Sequence, residues 1–505
     1  MIGIIDFGSQ FTQLIARSVR DLGIFSKILP YYIEPAEALQ YEALILSGSP
    51  RSVLDKEYPA MDPRIWDLGI PILGICYGFQ LMAHHYGSQV TKHSAREYGK
   101  TVVHTVQDSS LFEKIPAHSV MWMSHEYGVD ALPLGFLLTA KTDSSPVAGF
   151  EDMSRRRYGV QFHPEVHHSE FGKQIFQNFL GEIVRAKKDW NLTDFIQDEI
   201  ARIKETVGDK NVLCGISGGI DSAVAALLVH RSVGDHLKCL FVNHGLLRLG
   251  EAEQVMDSLS SLGLHIRMVS CEDLFLTALE GITDPEEKRK VIGRLFIEVF
   301  EAEAKKSQAG FLVQGTLYPD VIESSGGVSG LAAKIKSHHN VGGLPEKMGL
   351  KLIEPLKYLF KDEVRIIGEK LGLASDFVNR HPFPGPGLAI RILGDVTKER
   401  LSILGKADLI LREEIQKYDV NHKIWQGFAV LLPIRSVGVM GDERTYQSVI
   451  GIRLVESVDG MTANWHKLPY DVLECISTRI TNEVNGINRV VYDVTSKPPA
   501  TIEWE

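Results

Sequence analysis

The sequence predicts an α/β protein: two doubly wound parallel-sheet domains followed by a smaller α+β domain. Three observations carry this. The chain has 505 residues, too many for one hydrophobic core at roughly 100–200 residues per domain. Short apolar runs alternate with amphipathic stretches up to about residue 185, and the alternation resumes after a charged stretch. The cluster Arg380-His-Pro-Phe-Pro-Gly-Pro-Gly387 then interrupts it, and the elements beyond follow a different order.

Taken in order, residues 2–5 form a buried strand and residues 10–22 have helical spacing. Residues 43–46 and 71–75 are further strands, each running into a Gly-containing loop, and residues 79–86 form a helix. Such alternation implies a parallel sheet covered on both faces. Glu182, Arg185, Lys187, Lys188 and Asp189 mark a boundary, giving a first domain of residues 1–188. A helix at 193–207 and a strand at 211–216 open the second domain, residues 189–380. In the third, residues 381–505, a helix at 398–417 precedes strands at 428–432 and 449–455, a helix at 470–484 and a strand at 489–494.

Composition narrows the class. A hydrophobic fraction of 44% with 23% charged residues is that of a globular chain, not a disordered or collagen-like one. No apolar run reaches the roughly 18 residues that span a bilayer. Met1-Ile-Gly-Ile-Ile-Asp6 leads directly into a strand with no basic leader segment, so no membrane partner is expected. Five scattered cysteines with no Cys-x-x-Cys favour a reducing cytoplasm over a disulfide framework. A net charge of −10 disfavours nucleic acid as a partner.

Gly74-Ile75-Cys76-Tyr77-Gly78 sets a nucleophile between two glycines at the end of an apolar strand and the start of a helix. That is nucleophile-elbow grammar with Cys in place of Ser. The helix N-terminus favours the thiolate, although a free Cys is as often a small buried core residue. Tyr158-Gly-Val-Gln-Phe-His163-Pro-Glu165 reads as a strand whose end carries His163 and Glu165 two apart, hence facing the same way. Glu165 can then fix the His163 tautomer, and His163 can take the Cys76 proton. Alone, a strand-end His is more often solvated; with the elbow, the constellation is specific.

These residues resemble the class I, triad glutamine amidotransferases. The resemblance implies that Cys76 attacks glutamine and releases ammonia. It also implies an oxyanion hole from the N–H groups of Tyr77 and Gly48, with Gln80 helping to hold the substrate. Ser49 replaces the family's second loop Gly, and Ser124-His125-Glu126-Tyr127 stands where the family carries Ser-His-Gly-Asp.

Ser217-Gly218-Gly219-Ile220-Asp221-Ser222 lies between the strand ending at Ile216 and an apolar helix. Adjacent glycines at a helix N-terminus make an anion cradle. The Walker lysine is absent and the spacing differs, so γ-phosphoryl transfer is not implied. The full motif resembles the PP-loop ATP pyrophosphatases. It implies ATP binding by Ser217, Gly218, Gly219, Ile220, Asp221, Ser222 and Ala223, with Asp221 facing Mg2+; its plain alternative is helix capping. Val242, through its backbone, and Gly315 join the ATP set, while Asn243 replaces a family Asp.

Three further segments extend the resemblance from end to end, to the glutamine-hydrolysing GMP synthetases: 314–323, the Gly-rich basic 336–345, and the tail 495–505. That family implies the substrates ATP, XMP and L-glutamine, with XMP contacted by Arg289, Lys497, Thr501, Ile502 and Glu503. Lys336 and Lys361 would reach pyrophosphate, though a solvated loop and a helix N-terminus explain them as well. The third domain would form a homodimer. Rival readings are an RNA-modifying PP-loop enzyme, which needs a basic face and an activated Cys at 214, 239 or 271, another ammonia-using ligase, and a regulator with vestigial sites.

Overall fold

Short runs of Ile, Leu and Val form the strands of the computed structural model, which describes all residues except 107–108, 325–349, 381–382, 420–422, 441 and 458–461. Lys336 lies outside the described residues. The chain divides into two units, one drawn from Met1–Phe195 and Tyr318–His339, the other from Ile196–Leu317 and Asn340–Glu505. No helix among the described residues is long and apolar enough to cross a membrane, and the five cysteines carry free thiols.

Among the described residues the first unit holds nine strands: β1 (Ile2–Asp6), β2 (Ser26–Pro30), β3 (Ala43–Leu46), β4 (Ile72–Ile75), β5 (Val90–Thr105), β6 (His118–Val129), β7 (Leu137–Lys141), β8 (Gly149–Asp152) and β9 (Arg157–Val160). Their order in the sheet is β2-β1-β3-β4-β9-β8-β7-β5-β6. The half from β2 to β9 is parallel; of its strands β1, β3 and β4 are the ones legible as apolar runs. The half from β9 to β6 is antiparallel, which departs from the wholly parallel sheet expected. The reason is a change of period. Along β6, Ser119, Met121, Met123 and His125 are buried while their neighbours are more open, the alternation of a sheet with one covered face. His125 thus occupies a position where the pattern calls for an apolar side chain.

The helix Leu192–Val207 belongs to the second unit from Ile196 onward. The parallel sheet of that unit has the order β12-β11-β10-β13-β14, from β10 (Val212–Ile216), β11 (Leu237–Asn243), β12 (Ile266–Ser270), β13 (Phe311–Val313) and β14 (Lys351–Ile353). The helix Ile220–Val233 is buried along most of its length. Further on, β15 (Gln426–Met440) and β16 (Glu443–Glu456) pair as one long hairpin, β17 (Asn464–Trp465) adds to it, and β18 (Ile487–Tyr492) runs parallel to β16. The short strands expected at 428–432 and 449–455 are its buried inner part. The outer part exposes Ile434, Val437, Val439 and Tyr446, so no core-facing alternation announced it. Thr397 caps the helix Lys398–Tyr418 by accepting from Arg400 N at 3.2 Å. One hydrophobic cluster runs from Leu213 and Leu240 through Leu404 to Ile450 and Ile480.

The C-terminal tail is docked on buried cations. Arg453 has no solvent exposure. Its guanidinium donates to Ile502 O at 2.7 Å, Thr501 O at 2.6 Å, Thr495 O at 2.9 Å and Asp493 Oδ2 at 2.7 Å. Arg391, equally buried, grips the Glu503 carboxylate at 2.8 and 3.1 Å. Lys288 Nζ donates to Ala389 O, Ile392 O and Glu505 Oε2. A buried cation stripped of its partners is costly, and the converse holds for the partners. Arg453→Met should therefore lower stability by about 3 kcal/mol and open residues 493–505 to proteolysis. Urea unfolding and limited digestion check it; an unchanged midpoint with a resistant tail would refute the clamp.

Candidate active sites

The first site is built at the ends of β4 and β9. Cys76 follows β4 directly and precedes the helix Tyr77–His85. Its φ of 53° and ψ of −102° lie where residues with a Cβ are strained. The flanking glycines are steric necessities. A Cβ on Gly74 would fall 2.6 Å from Gly78 O, and one on Gly78 would fall within 2.6 Å of Leu46 O. Cys76 N donates to Val160 O at 2.9 Å and Gly78 N to Ser47 O at 3.1 Å, which fastens the turn between β9 and β3.

His163 and Glu165 lie in the turn after β9, three and five residues beyond its last residue, and not on the strand as expected. The expected pairing is still made: His163 Nδ1 is 2.7 Å from Glu165 Oε1, both side chains buried. Burial alone would lower the His163 pKa. The charges of Glu165 and Cys76, with a hydrogen bond to each, outweigh it and raise the ring to about 10. The ring is held in place by several neighbours. Phe11 meets it edge-on at 5.0 Å between centroids, and His163 N donates to Trp122 O at 2.8 Å. Ser169 Oγ donates to His163 O at 2.6 Å.

Gly48 is on the loop after β3, where a Cβ would sit 3.3 Å from His163 Cε1. Tyr77 is the first residue of the helix, so its N–H has no intrahelical acceptor; its hydroxyl donates to Pro59 O at 2.6 Å. Gln80 is buried, and its amide donates to Tyr127 O at 2.7 Å and Gln161 Oε1 at 3.2 Å. Gln161 was not singled out from the sequence. Its Nε2 lies 3.8 Å from Cys76 Sγ, and its position two before His163 is the one signal that pointed to it.

The second site lies at the C-terminal ends of β10, β11 and β13. Gly218 has φ 82°, and the helix Ile220–Val233 begins one residue after Gly219. Ser222 Oγ accepts from Ser217 N at 3.1 Å and donates to Gly219 O at 3.0 Å, closing the loop on itself. Ala223 is buried at its base and Val242 is buried near the end of β11. A Cβ on Gly315 would come within 3.1–3.2 Å of the Asp221 and Ser222 backbone, so the segment after β13 packs closely on the loop. Lys361, at the start of the helix Lys361–Lys370, pairs with Asp221 Oδ2. Asp221 Oδ1 is buried with no hydrogen-bond partner.

The tail set is held together in part. Arg289 donates to Glu286 Oε1 and to Glu505 O, at 2.6 and 2.5 Å. Glu503 accepts from Arg391 and, at 2.7 Å, from Gln426 Nε2. Thr501 and Ile502 present their carbonyls to Arg453. The backbone of Lys497 pairs with that of Ala463.

Three family models match the chain: glutamine amidotransferase class-I at residues 3–183, NAD synthase at 190–292 and GMP synthase C terminal domain at 413–504. A relative from Geobacillus kaustophilus named GMP synthase [glutamine-hydrolyzing] is 54% identical, covering 100% of this chain and 99% of its own. One of the same name from Aquifex aeolicus is 53% identical over 99% of each chain. The chain belongs to the glutamine-hydrolysing GMP synthase family.

Within the GMP synthase family frame, the departures find local explanations. Ser49 lies outside the positive-φ residues, and its Oγ donates to Phe7 O at 2.8 Å while accepting from Arg51 N. Its side chain ties the loop where glycine would leave it free. Asn243 Oδ1 accepts from Gly245 N at 3.1 Å, a turn-forming role. Glu126 pairs with Lys92 and Arg96, each at 3.1 Å. The RNA-modifying rival loses its nucleophile. Cys214 and Cys239 are buried neighbours on β10 and β11. A hydrogen bond with Cys239 and burial push the Cys214 thiol well up. Burial likewise raises Cys271. NAD synthase matches only the loop-bearing segment.

The raised His163 pKa makes a pH prediction. Its folded value exceeds the ordinary 6.5, so its contribution to stability is complete below about 6.5 and is lost as pH rises through about 10. His163→Asn should flatten the decline in the first unit's unfolding midpoint between those limits. Denaturant titrations at stepped pH measure it; identical slopes in both proteins would refute it.

Proposed function

We propose that this chain makes GMP by two chemistries, glutamine hydrolysis at Cys76 and ATP-dependent activation of XMP on the loop of residues 217–223. Cys76 Sγ attacks the carboxamide carbon of glutamine. His163, oriented by Glu165, takes the thiol proton and returns it to the leaving nitrogen. The C–N bond breaks, ammonia departs, and water then hydrolyses the glutamyl thioester to glutamate. The N–H groups of Tyr77 and Gly48 stabilise the oxyanion, such a donor being worth about 10²–10³ in rate. Gln80 braces the wall of this pocket.

On the loop, Ser217, Gly218, Gly219, Ile220, Ser222 and Ala223 cradle the pyrophosphate of ATP, with Lys361 and Lys336 as counter-charges. Val242 and Gly315 bound the nucleotide. The XMP ring oxygen attacks the α-phosphorus, pyrophosphate leaves, and ammonia displaces AMP. The sum is ATP + XMP + glutamine + water → AMP + pyrophosphate + GMP + glutamate. The residues fit magnesium carried with ATP. Asp221 Oδ1 is a buried oxygen without a partner, and Mg2+ is ordinarily held by one or two carboxylates plus substrate phosphates. When bound, it would neutralise charge on the departing pyrophosphate.

Lys497 and Arg289 meet the XMP phosphate, Glu503 accepts from its purine or ribose, and Thr501 and Ile502 carry the backbone between them. The docked tail supports this assignment. The exposed apolar residues of the β15–β16 hairpin support a homodimer through residues 381–505, and free thiols suit a cytoplasmic enzyme. Domains at 1–188, 189–380 and 381–505 divide the work.

One observation carries the reading: a cysteine at φ 53° heading a buried helix, its thiol against a His–Glu pair. The direct test is mass-spectrometric detection of labelled GMP from ATP, XMP, Mg2+ and amide-labelled glutamine. Cys76→Ala should abolish glutamine-dependent synthesis and leave synthesis from high ammonium within about two-fold, since the thiol takes no part in adenylation; equal loss with both nitrogen donors would refute the division.

Asp221→Asn should leave the protein folded and reduce XMP-dependent pyrophosphate release at least about 100-fold, as loss of a metal and phosphate anchor does. Unchanged release in a coupled pyrophosphate assay would remove Asp221 from the site.

A further inference from the structure

Behind the wall of the first site lies a second buried His–Glu pair that the reaction above does not use. Glu97 on β5 and His125 on β6 stand directly opposite in the ladder. His125 Nε2 lies 2.9 Å from Glu97 Oε2, each side chain less than 5% exposed. The turn between β7 and β8 saturates the carboxylate: Thr142 Oγ1 and Ser144 Oγ donate to Oε1, both at 2.6 Å, and Ser145 Oγ to Oε2 at 2.8 Å. Burial alone would raise Glu97; His125 and the three hydroxyls outweigh it and hold it at about 2.

The other ring nitrogen leads toward the nucleophile. His125 Nδ1 is 3.0 Å from Tyr127 O, so each ring nitrogen has an oxygen beside it; at Nε2 the Glu97 contact is an ion-pair approach without hydrogen-bond geometry. Tyr127 O also accepts from Gln80 Nε2 at 2.7 Å. Gln80 continues to Gln161 at 3.2 Å, and Gln161 to Cys76 Sγ at 3.8 Å. On the same strand, Ser124 O lies 3.9 Å from Cys76 Sγ. One continuous polar chain thus joins the β7–β8 turn to the thiol.

Stability does not require this pair. A buried ion pair stabilises no better than apolar side chains of similar volume, and Met121 and Met123 occupy the same face of β6. A buried polar network restricts the side chains and carbonyls it ties together. We propose that Glu97 and His125 are positioning residues for glutamine hydrolysis, fixing the β6 carbonyls at Ser124 and Tyr127, and through Gln80 and Gln161 the pocket around Cys76. The proposal rests on the reading of Cys76 as the glutamine-attacking thiol.

The test compares Glu97→Gln, His125→Gln and His125→Asn in the full-length protein, with glutamine or ammonium varied. Positioning predicts a KM for glutamine raised about ten-fold, a kcat within about three-fold, and unchanged ammonium kinetics. His125→Asn, whose shorter amide can still reach Tyr127 O, should recover part of the KM. A merely structural role instead lowers the active fraction, which reduces kcat and leaves KM alone. Should Glu97→Gln unfold the unit, Thr142→Val removes one hydroxyl from the carboxylate and should raise KM about two- to three-fold. Wild-type KM in all folded variants, or losses in kcat only, would overturn the proposal. Cys76→Ala run alongside separates the two failures: if it retains glutamine-dependent synthesis, the reading of the thiol itself is wrong.

Discussion

Everything at the first site depends on a backbone approach too close for any side chain. Gly78 packs on Leu46 of β3, and Gly74 packs on the turn of Gly78. These two approaches force the chain to reverse at Cys76 and leave that residue at φ 53°. The strain is borne by the sheet, because Cys76 and Gly78 are both tied by backbone bonds to neighbouring strand ends. The thiol is then delivered to the head of a helix whose first amide, that of Tyr77, has no intrahelical acceptor. The His163–Glu165 turn falls beside it because β9 is the parallel neighbour of β4. Chemistry at this site follows from strand order as much as from residue type.

The second unit solves a different problem, that of holding a terminal segment firmly. Three fully buried cations, Lys288, Arg391 and Arg453, come from three separate parts of the chain. Each spends its donors on the last residues or on the backbone nearby. Charges removed from water are costly unless paired, which ties the tail to these side chains, although Arg391 Nη1 is buried without a partner. The loop of residues 217–222 works by the opposite principle. It satisfies its hydroxyls internally at the start of a helix, where first-turn N–H groups have no intrahelical acceptor. Lys361 neutralises one oxygen of Asp221 while the other has no partner.

Much of this was legible in the residues. The strands 43–46 and 212–216, the elbow and the glycine-rich loop could be read from apolar runs and glycine spacing, because each is decided by interactions within about ten residues. The antiparallel half of the first sheet was not. Its strands are half-polar, and β5 carries a register irregularity between Lys92 and Glu97 that no local pattern announces. The outer part of the β15–β16 hairpin escaped notice for the related reason that its apolar residues face outward.

The sequence by itself determined the local geometries: where the chain must turn, where a glycine-rich loop opens a helix, and which thiol stands at a strained turn. Those follow from sterics and dipoles of adjacent residues. Only the tertiary structure decided which distant side chains meet. It put Glu97 opposite His125, Gln161 against Cys76, and Arg391 and Gln426 on Glu503. Each of these pairs joins residues from separate strands or loops, and nothing in the spacing of one predicts the other. A buried polar group accepts any partner of the right charge and reach, and strand register, set by the burial of whole faces, selects the one it finds.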